Sequence, residues 1–300
     1  MKISGRTRIL GIFGHPIGHT LSPAMHNAAI EALGLDMVYI PFSVRPSRLK
    51  DAVEAIRGLD ILGINITIPH KEVVIDLLDK LSEEARAIGA VNTIINSNGM
   101  LIGLNTDGQG YLRSLKGDAG FNPKGRDIVL VGAGGAARGI LTALAGEGPA
   151  SIIIANRTTS KAESLVDEFK VKFPDIDLRA CALDTSELKG PLKTAALLIN
   201  TTSLGMEGKG MLELPLEEMP GGAVVSDIVY KPLKTDFLKK AQDLGLVVHD
   251  GLGMLVQQGA ISFKIWTGLD APVDIMRNVV EKALEENESR IRSRRPPQRP

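Results

Sequence analysis

Two residues in the first half of this 300-residue chain have side chains suited to moving a proton. Lys71 closes the string Ile64-Asn65-Ile66-Thr67-Ile68-Pro69-His70-Lys71, and Asp107 lies in Asn105-Thr106-Asp107-Gly108. A hydride that reaches a ketone leaves an alkoxide. A lysine ammonium can stabilise that charge and deliver a proton, and a carboxylate beside it would hold it in position and tune its acidity. Both candidates sit just past an apolar run, among polar neighbours. Hydroxyls and amides at Thr20, Ser22, Asn65, Thr67 and Asn92 would suit a substrate carrying several hydroxyl groups. Sequence does not bring the lysine and the aspartate together; a fold must.

A source of hydride is legible further along. Residues 127–140 read DIVLVGAGGAARGI. An apolar run breaks into Gly132-Ala133-Gly134-Gly135-Ala136 and a helical pattern follows, the strand–turn–helix of a dinucleotide site. Gly132 permits the turn, Gly134 leaves room for a pyrophosphate, and Ala137 is small where helix and strand must pack closely. The helix N-terminus supplies N–H groups for the phosphates. Alone this pattern is weak, because a turn of small residues would look the same. The next apolar run, 151–155, ends in Asn156-Arg157-Thr158, with Lys161 one turn on. An NAD site would place an acid there for the ribose hydroxyl. An acid would repel a 2′-phosphate, whereas Arg157 can pair with one, so the cofactor expected is NADP. The bland alternative is a solvated loop arginine.

Periodicity supplies the elements that must position these groups. Residues 8–13 read as a strand. Ser22-Pro23 reads as an N-cap with proline at the first helical position. The helix after it puts Met25, Ala28, Ala29, Ala32 and Leu33 on one face and stops at Gly34. Capping would occupy Ser22 and leave Thr20 the freer hydroxyl. Strands at 37–42 and 61–68 flank a helix at 47–57. Alternation places Asn65 and Thr67 on one side of the later strand and Ile64, Ile66 and Ile68 on the other, a polar pocket or an exposed edge. Lys71 is expected to begin a helix, where the dipole would ease loss of its proton. Asp107, after a short strand at 101–104, reads by default as a helix N-cap.

Alternating helices and strands predict an α/β fold, with a linker near 120–123. Later strands at 197–200, 223–228 and 246–249 belong with the glycine turn. The loops at 200–206 and 227–232 then lie beyond strand C-termini, on the cofactor side. A helix to Trp266 and another over 273–285 follow.

The whole-chain figures narrow the class. The 35 basic and 35 acidic residues balance, so charge points to neither nucleic acid nor an anionic membrane. The single cysteine, Cys181, forbids an internal disulfide, suits a cytoplasmic protein, and reads as a small buried residue rather than a nucleophile. Five scattered histidines and one cysteine make a metal site unexpected. No run is long enough to span a bilayer.

The strings GHPIGHTLSPAMHN, INITIPHK, GAVNTI, NTDG, GAGGAAR, NRT, NTTSLGM, DIVY and GLGMLVQQGAISF, in this order, resemble the shikimate dehydrogenase family. That resemblance spans residues 8–266. It implies an N-terminal α/β substrate domain at 1–107 and a Rossmann-type, doubly wound NADP-binding domain at 108–250, with a cleft between. Helices at 251–286 would pack at least partly back on the first domain, and 287–300 would be a disordered basic tail. The implied reaction is reversible NADPH-dependent reduction of 3-dehydroshikimate to shikimate, in aromatic amino-acid biosynthesis. The resemblance assigns catalysis to Lys71 and Asp107. It assigns substrate contacts to Thr20, Ser22, Asn65, Thr67, Lys71, Asn92, Asp107, Tyr230 and Gln258. Cofactor contacts fall on Gly132, Ala133, Gly134, Gly135, Ala136, Asn156, Arg157, Thr158 and Lys161, with Thr202, Ile228, Gly251 and Met254 on the nicotinamide side. The family's serine-x-serine pair is Thr20-Leu21-Ser22 here, which opens quinate, or both acids, as an alternative substrate. A non-catalytic NADP-sensing module is the alternative from another class. A small-molecule substrate is the partner expected, with the chain a monomer or a homodimer.

Overall fold

Two six-stranded sheets organise the chain. The structure, a computed structural model, describes residues 3–294, with side chains through residue 286. The first sheet contains β1 (Arg8–Gly14), β2 (Met37–Ser43), β3 (Gly63–Ile66), β4 (Lys80–Leu81), β5 (Thr93–Ser97) and β6 (Met100–Leu104), in the order β2-β1-β3-β5-β6-β4. Pairing is parallel from β2 through β1 to β3, then antiparallel through β5 to β6. Helices α1 (Ser22–Ala32), α2 (Leu49–Gly58) and α3 (Glu83–Ile88) connect these strands. β3 is central rather than an edge, so Ile64 and Ile66 bury on one side and Asn65 must be satisfied on the other.

α4 (Asp107–Asp118) carries the chain to the second sheet. There follow β7 (Asp127–Val131), α5 (Gly135–Ala145), β8 (Ser151–Asn156), α6 (Thr159–Lys172), β9 (Asp177–Ala182), α7 (Thr185–Leu192), β10 (Leu197–Asn200), β11 (Val224–Asp227), α8 (Asp236–Asp243) and β12 (Val247–His249). The order β12-β11-β10-β7-β8-β9 is parallel throughout, and it reverses between β7 and β10. Buried on both faces, these strands need the unbroken apolar runs that the sequence carries, such as Ile128 to Val131. A ligand in such a sheet lies at the reversal, outside the strand C-termini.

α9 (Gly251–Thr267) and α10 (Val273–Arg294) return to the first sheet. Val256, Phe263, Trp266, Met276 and Val280 share an apolar cluster with Leu10 and Met25, and Trp266 Nε1 donates to Ile94 O at 2.9 Å. The backbone of α10 stays helical to Arg294, so the expected disordered tail does not begin at 287; residues 295–300 lie outside the described residues. Cys181 is half-buried rather than buried, and burial first, then Glu187, push its thiol up, as suits an unreactive side chain.

Four local expectations are corrected. Ser22 does not cap α1: Leu21 holds the cap position without a side-chain bond. The backbone role falls instead to Thr20, whose Oγ1 accepts from Ser22 N at 3.3 Å and donates to Ser22 Oγ at 3.2 Å, while the nearly buried Ser22 hydroxyl also meets Tyr39. Lys71 begins no helix. Residues 71–74 are turns, and the first helical residues are a short 3-10 segment at Ile75–Leu77, so the dipole argument has nothing to act on. Asp107 is the first residue of α4 and caps nothing; Asn105 Oδ1 instead accepts from Asp107 N at 3.0 Å. Ile68 is 67% exposed rather than facing the core, because the strand ends at Ile66.

Candidate active site

A cleft of about 590 Å³ lies between the C-terminal ends of the two sheets. On its first-sheet side, Lys71 Nζ donates to Asp107 Oδ2 at 2.5 Å. The lysine side chain is 20% exposed and the aspartate 6%, so the ammonium reaches the cleft while its counter-ion stays behind it. Asp107 Oδ1 accepts from Asn92 Nδ2 at 2.9 Å. Both carboxylate oxygens are therefore engaged, and one of them fixes the lysine. The aspartate is available for this because it has no capping duty.

Asn92 is the centre of a buried network. Its Oδ1 accepts from Thr106 N at 2.8 Å and from Thr93 Oγ1 at 3.0 Å. Its amide nitrogen has Thr106 Oγ1 at 2.9 Å, Asp107 Oδ1 at 2.9 Å and Gln258 Oε1 at 3.4 Å. Two hydrogens cannot serve three acceptors fully, so Gln258 Oε1 is the one left for a ligand. Asn65 is similarly committed: its Oδ1 accepts from Tyr39 Oη at 2.7 Å, and its Nδ2 faces Asn92 O, Thr93 Oγ1 and Ser262 Oγ. Burial raises Tyr39 well above the usual phenol range, despite Ser22 opposing, which keeps it a donor. Thr20, Ser22, Thr67 and Gln258 also line the cleft.

The opposite wall comes from the second sheet. Gly134, Gly135 and Ala136 line it, with Thr202, Ile228, Tyr230, Gly251 and Met254. Gly132 stands at the strand reversal with φ +115°, and a Cβ there would lie 2.4 Å from Thr201 Oγ1. Gly134 precedes α5 without a side-chain cap, and a Cβ on it would meet nothing within 4 Å. The first N–H groups of α5 therefore face open space, and the cradle fits a dinucleotide's phosphates. Gly132, Ala133, Asn156, Arg157, Thr158 and Lys161 do not line the cleft itself. Asn156 ends β8 and the other three follow it, beside the glycine turn, and Arg157 is exposed. Burial raises the Tyr230 phenol, so it enters the cleft as a neutral donor.

Sequence reasoning missed His19 and Glu72 as cleft residues, and reached Ser203 and Met206 only as members of a cofactor-side loop. Ile68, Val73 and Met206, which are 67%, 57% and 41% exposed, add apolar surface to the same cleft, a pattern that only the fold displays.

Asp227 ends β11, just before the cleft residues Ile228 and Tyr230. It is fully buried, and its carboxylate accepts from Asn200 Nδ2 at 3.0 Å, Val229 N at 3.0 Å and Thr235 Oγ1 at 2.8 Å. Burial pushes this carboxyl up to about 6, against those three bonds. The folded protein then keeps a proton that the unfolded chain has released. The resulting stability is fully present below the ordinary value of 3.8 and is lost as pH rises through about 6. Thermal unfolding of the protein and of Asp227→Asn should therefore differ most in favour of the native residue near the acid end of this window. The difference should shrink toward neutrality; a constant difference would show that Asp227 does not titrate there.

A doubly wound parallel sheet with a glycine turn at its reversal, facing a lysine–carboxylate pair, defines a dinucleotide-dependent oxidoreductase acting on a carbon–oxygen centre. Three family models match the chain: "Shikimate dehydrogenase substrate binding domain" over residues 12–94, "Shikimate / quinate 5-dehydrogenase" over 116–204, and "Shikimate 5'-dehydrogenase C-terminal domain" over 251–281. The chain belongs to the shikimate dehydrogenase family. It is 46% identical to a Geobacter metallireducens protein named Shikimate dehydrogenase (NADP(+)), over 95% of this chain and 100% of that one. A crystal structure of the Thermus thermophilus shikimate 5-dehydrogenase with NADP(H) and shikimate superposes with a TM-score of 0.83 at 38% identity, covering 92% of this chain and 100% of that one. A ligand-free 5-ketofructose reductase from a Gluconobacter strain gives 0.84 at 37%, covering 93% and 100%. The protein is an NADP-dependent oxidoreductase of this family, and the name Shikimate dehydrogenase (NADP(+)) carried by its curated relatives favours the shikimate reading over the quinate one.

Proposed function

We propose that Lys71 is the proton donor and acceptor for reversible reduction of 3-dehydroshikimate to shikimate, with Asp107 holding it in place. The observation that supports this is the 2.5 Å contact between Lys71 Nζ and Asp107 Oδ2, opposite Gly134 to Ala136. When bound, NADPH supplies a hydride to the ketone carbon. Lys71 then gives a proton from Nζ to the ketone oxygen, and solvent returns one to the amine. Asp107 keeps the ammonium oriented in both directions of the reaction. Thr20, Ser22, Thr67, Asn92, Gln258 and Tyr230 orient the ring and its carboxylate, and Asn65 supports them from behind.

Gly132, Ala133, Gly134, Gly135 and Ala136 would hold the diphosphate. Asn156, Arg157, Thr158 and Lys161 would hold the adenosine end, and Thr202, Ile228, Gly251 and Met254 would flank the nicotinamide. These assignments divide the chain into a substrate part, 1–107 with helices at 251–286, and a cofactor part, 108–250. The two sheets and the return of α9 and α10 to the first of them support that division. The protein works in the cytoplasm as a monomer or homodimer. A lone half-buried cysteine suits that compartment, and light scattering would report the oligomer.

Purified protein should oxidise shikimate with NADP⁺ faster than quinate, and faster than either acid with NAD⁺. Arg157→Gln should raise KM for NADP⁺ roughly 10–100-fold, the worth of a charge-assisted bond to phosphate. It should leave KM for NAD⁺ unchanged, since NAD⁺ lacks that phosphate. Equal losses with both cofactors would remove Arg157 from the 2′-phosphate site.

A further inference from the structure

Outside the cleft, two cations of the second sheet's helices grip the end of a helix from the first. Arg138, in the first turn of α5, donates from Nε to Ile88 O. Lys172, the last residue of α6, donates from Nζ to Ala87 O at 2.6 Å. These carbonyls belong to the last turn of α3, where a cation is favourable. Glu168 binds both cations. Arg138 Nη2 reaches its two oxygens at 2.7 and 2.6 Å, and Lys172 Nζ reaches Oε1 at 2.6 Å. The buried Phe169 ring lies beneath them, 5.9 Å from the guanidinium carbon and 5.0 Å from the ammonium.

The residues just past this grip carry the proton-transfer pair. Gly89 ends α3 in a left-handed turn, and the next three residues hold the site by their backbone and side chains. Ala90 O accepts from Asn105 Nδ2 at 2.9 Å, and Asn105 Oδ1 holds Asp107 N. Val91 N donates to Lys71 O at 2.8 Å. Asn92 Nδ2 donates to Asp107 Oδ1. At the other end of the linkage, Arg138 lies three residues beyond Gly135, on the helix whose N-terminus would receive the diphosphate. The guanidinium itself is no part of the cleft wall.

We infer that Arg138, seated by Glu168, is a positioning residue that sets the distance between the bound nicotinamide and the Lys71–Asp107 pair. It acts by clasping α5 to the end of α3. Because the inference rests on the proposed roles of Lys71 and Asp107, its test must separate the two. Lys172 adds a second anchor on the same helix end. An Arg138→Lys variant keeps a cation for the Ile88 carbonyl and for Glu168, though without separate nitrogens for the two.

The experiment measures five quantities for Arg138→Met, Arg138→Lys, Glu168→Gln and Lys71→Met. These are kcat, both KM values, the dissociation constant for NADPH by fluorescence, and the isotope effect on kcat with shikimate deuterated at its hydride-donating carbon. Thermal midpoints accompany them. Arg138→Met should lose at least 10-fold in kcat, keep its NADPH dissociation constant within about threefold, and show a larger isotope effect as hydride transfer becomes limiting. Glu168→Gln should show the same changes in smaller measure, and Arg138→Lys should recover most of kcat. Unchanged kcat and isotope effect in both Arg138→Met and Glu168→Gln would overturn the clasp. So would a loss of activity that follows only weakened NADPH binding or a lowered thermal midpoint, without rescue by lysine. Where Arg138→Met does not fold, Glu168→Gln decides by the same criteria. Lys71→Met judges the other reading: retained turnover there removes the proton donor, while the isotope effect in the Arg138 and Glu168 variants still reports on position.

Discussion

Replacing Lys71 with methionine is expected to lower kcat roughly 10²–10⁴-fold, the usual worth of a positioned general acid. NADPH binding should persist, because the hydrogen bond of the lysine amine goes to Asp107, on the first-sheet side of the cleft. Asp107 would keep its bond from Asn92 and lose its counter-ion in a nearly buried place. A modest fall in stability, of about 1–3 kcal/mol, should accompany the kinetic loss. Steady-state oxidation of shikimate, alongside fluorescence titration with NADPH and a thermal melt, separates these effects. Turnover within a few-fold of the parent, in a folded protein that binds NADPH, would mean that the proton comes from elsewhere. Asp107→Asn gives the companion result: the lysine survives without the charge that fixes it, so kcat should fall while the amine can still donate.

The second large effect is expected at Gly108, one residue beyond Asp107. A Cβ there would lie 2.2 Å from Gly139 O and 3.1 Å from the Ala143 Cβ. The nearest obstacle is backbone, which no rotamer change can move. Gly108→Ala must therefore push α4 and α5 apart, or tilt the start of α4. Overpacking of this kind costs roughly 1–3 kcal/mol. The kinetic consequence should exceed the loss of stability, because the displaced turn begins with the carboxylate that holds Lys71. Misplacement of reacting groups by about 1 Å can cost on the order of 10²-fold. Denaturant melts and kcat measured on the same preparation check both halves. A variant with native stability and native turnover would show that the two helices approach less closely than the backbone positions indicate.

These two sites show how differently the chain could be read. Lys71 could be singled out as a candidate proton donor by its type, its place after an apolar strand and its polar surroundings. Its local conformation was not, because the helix expected to begin there is a run of turns. The turn is held by His70 N donating to Thr67 O and by Val91 N reaching Lys71 O, and the second of these comes from a distant part of the chain. For Thr20 and Ser22 the sequence misjudged which hydroxyl serves the backbone, since a hydroxyl two residues before a backbone N–H can accept from it as well as the one nearest the helix. Gly108 carried no signal at all, because only the approach of α5 makes its missing side chain necessary.

The chain's own sequence determined what depends on neighbours within a few residues. That covers the apolar runs of a buried parallel sheet, the glycine turn into α5, the absence of an acid after β8, and the identity of the groups able to move a proton. Tertiary structure alone decided what depends on residues brought together from afar. Antiparallel pairing of β3 with β5, the release of Asp107 from capping and the grip of Arg138 on α3 are all of this kind. The physical reason is the same in each case. A buried donor or acceptor takes whichever partner packing supplies, and that partner has no fixed separation along the chain.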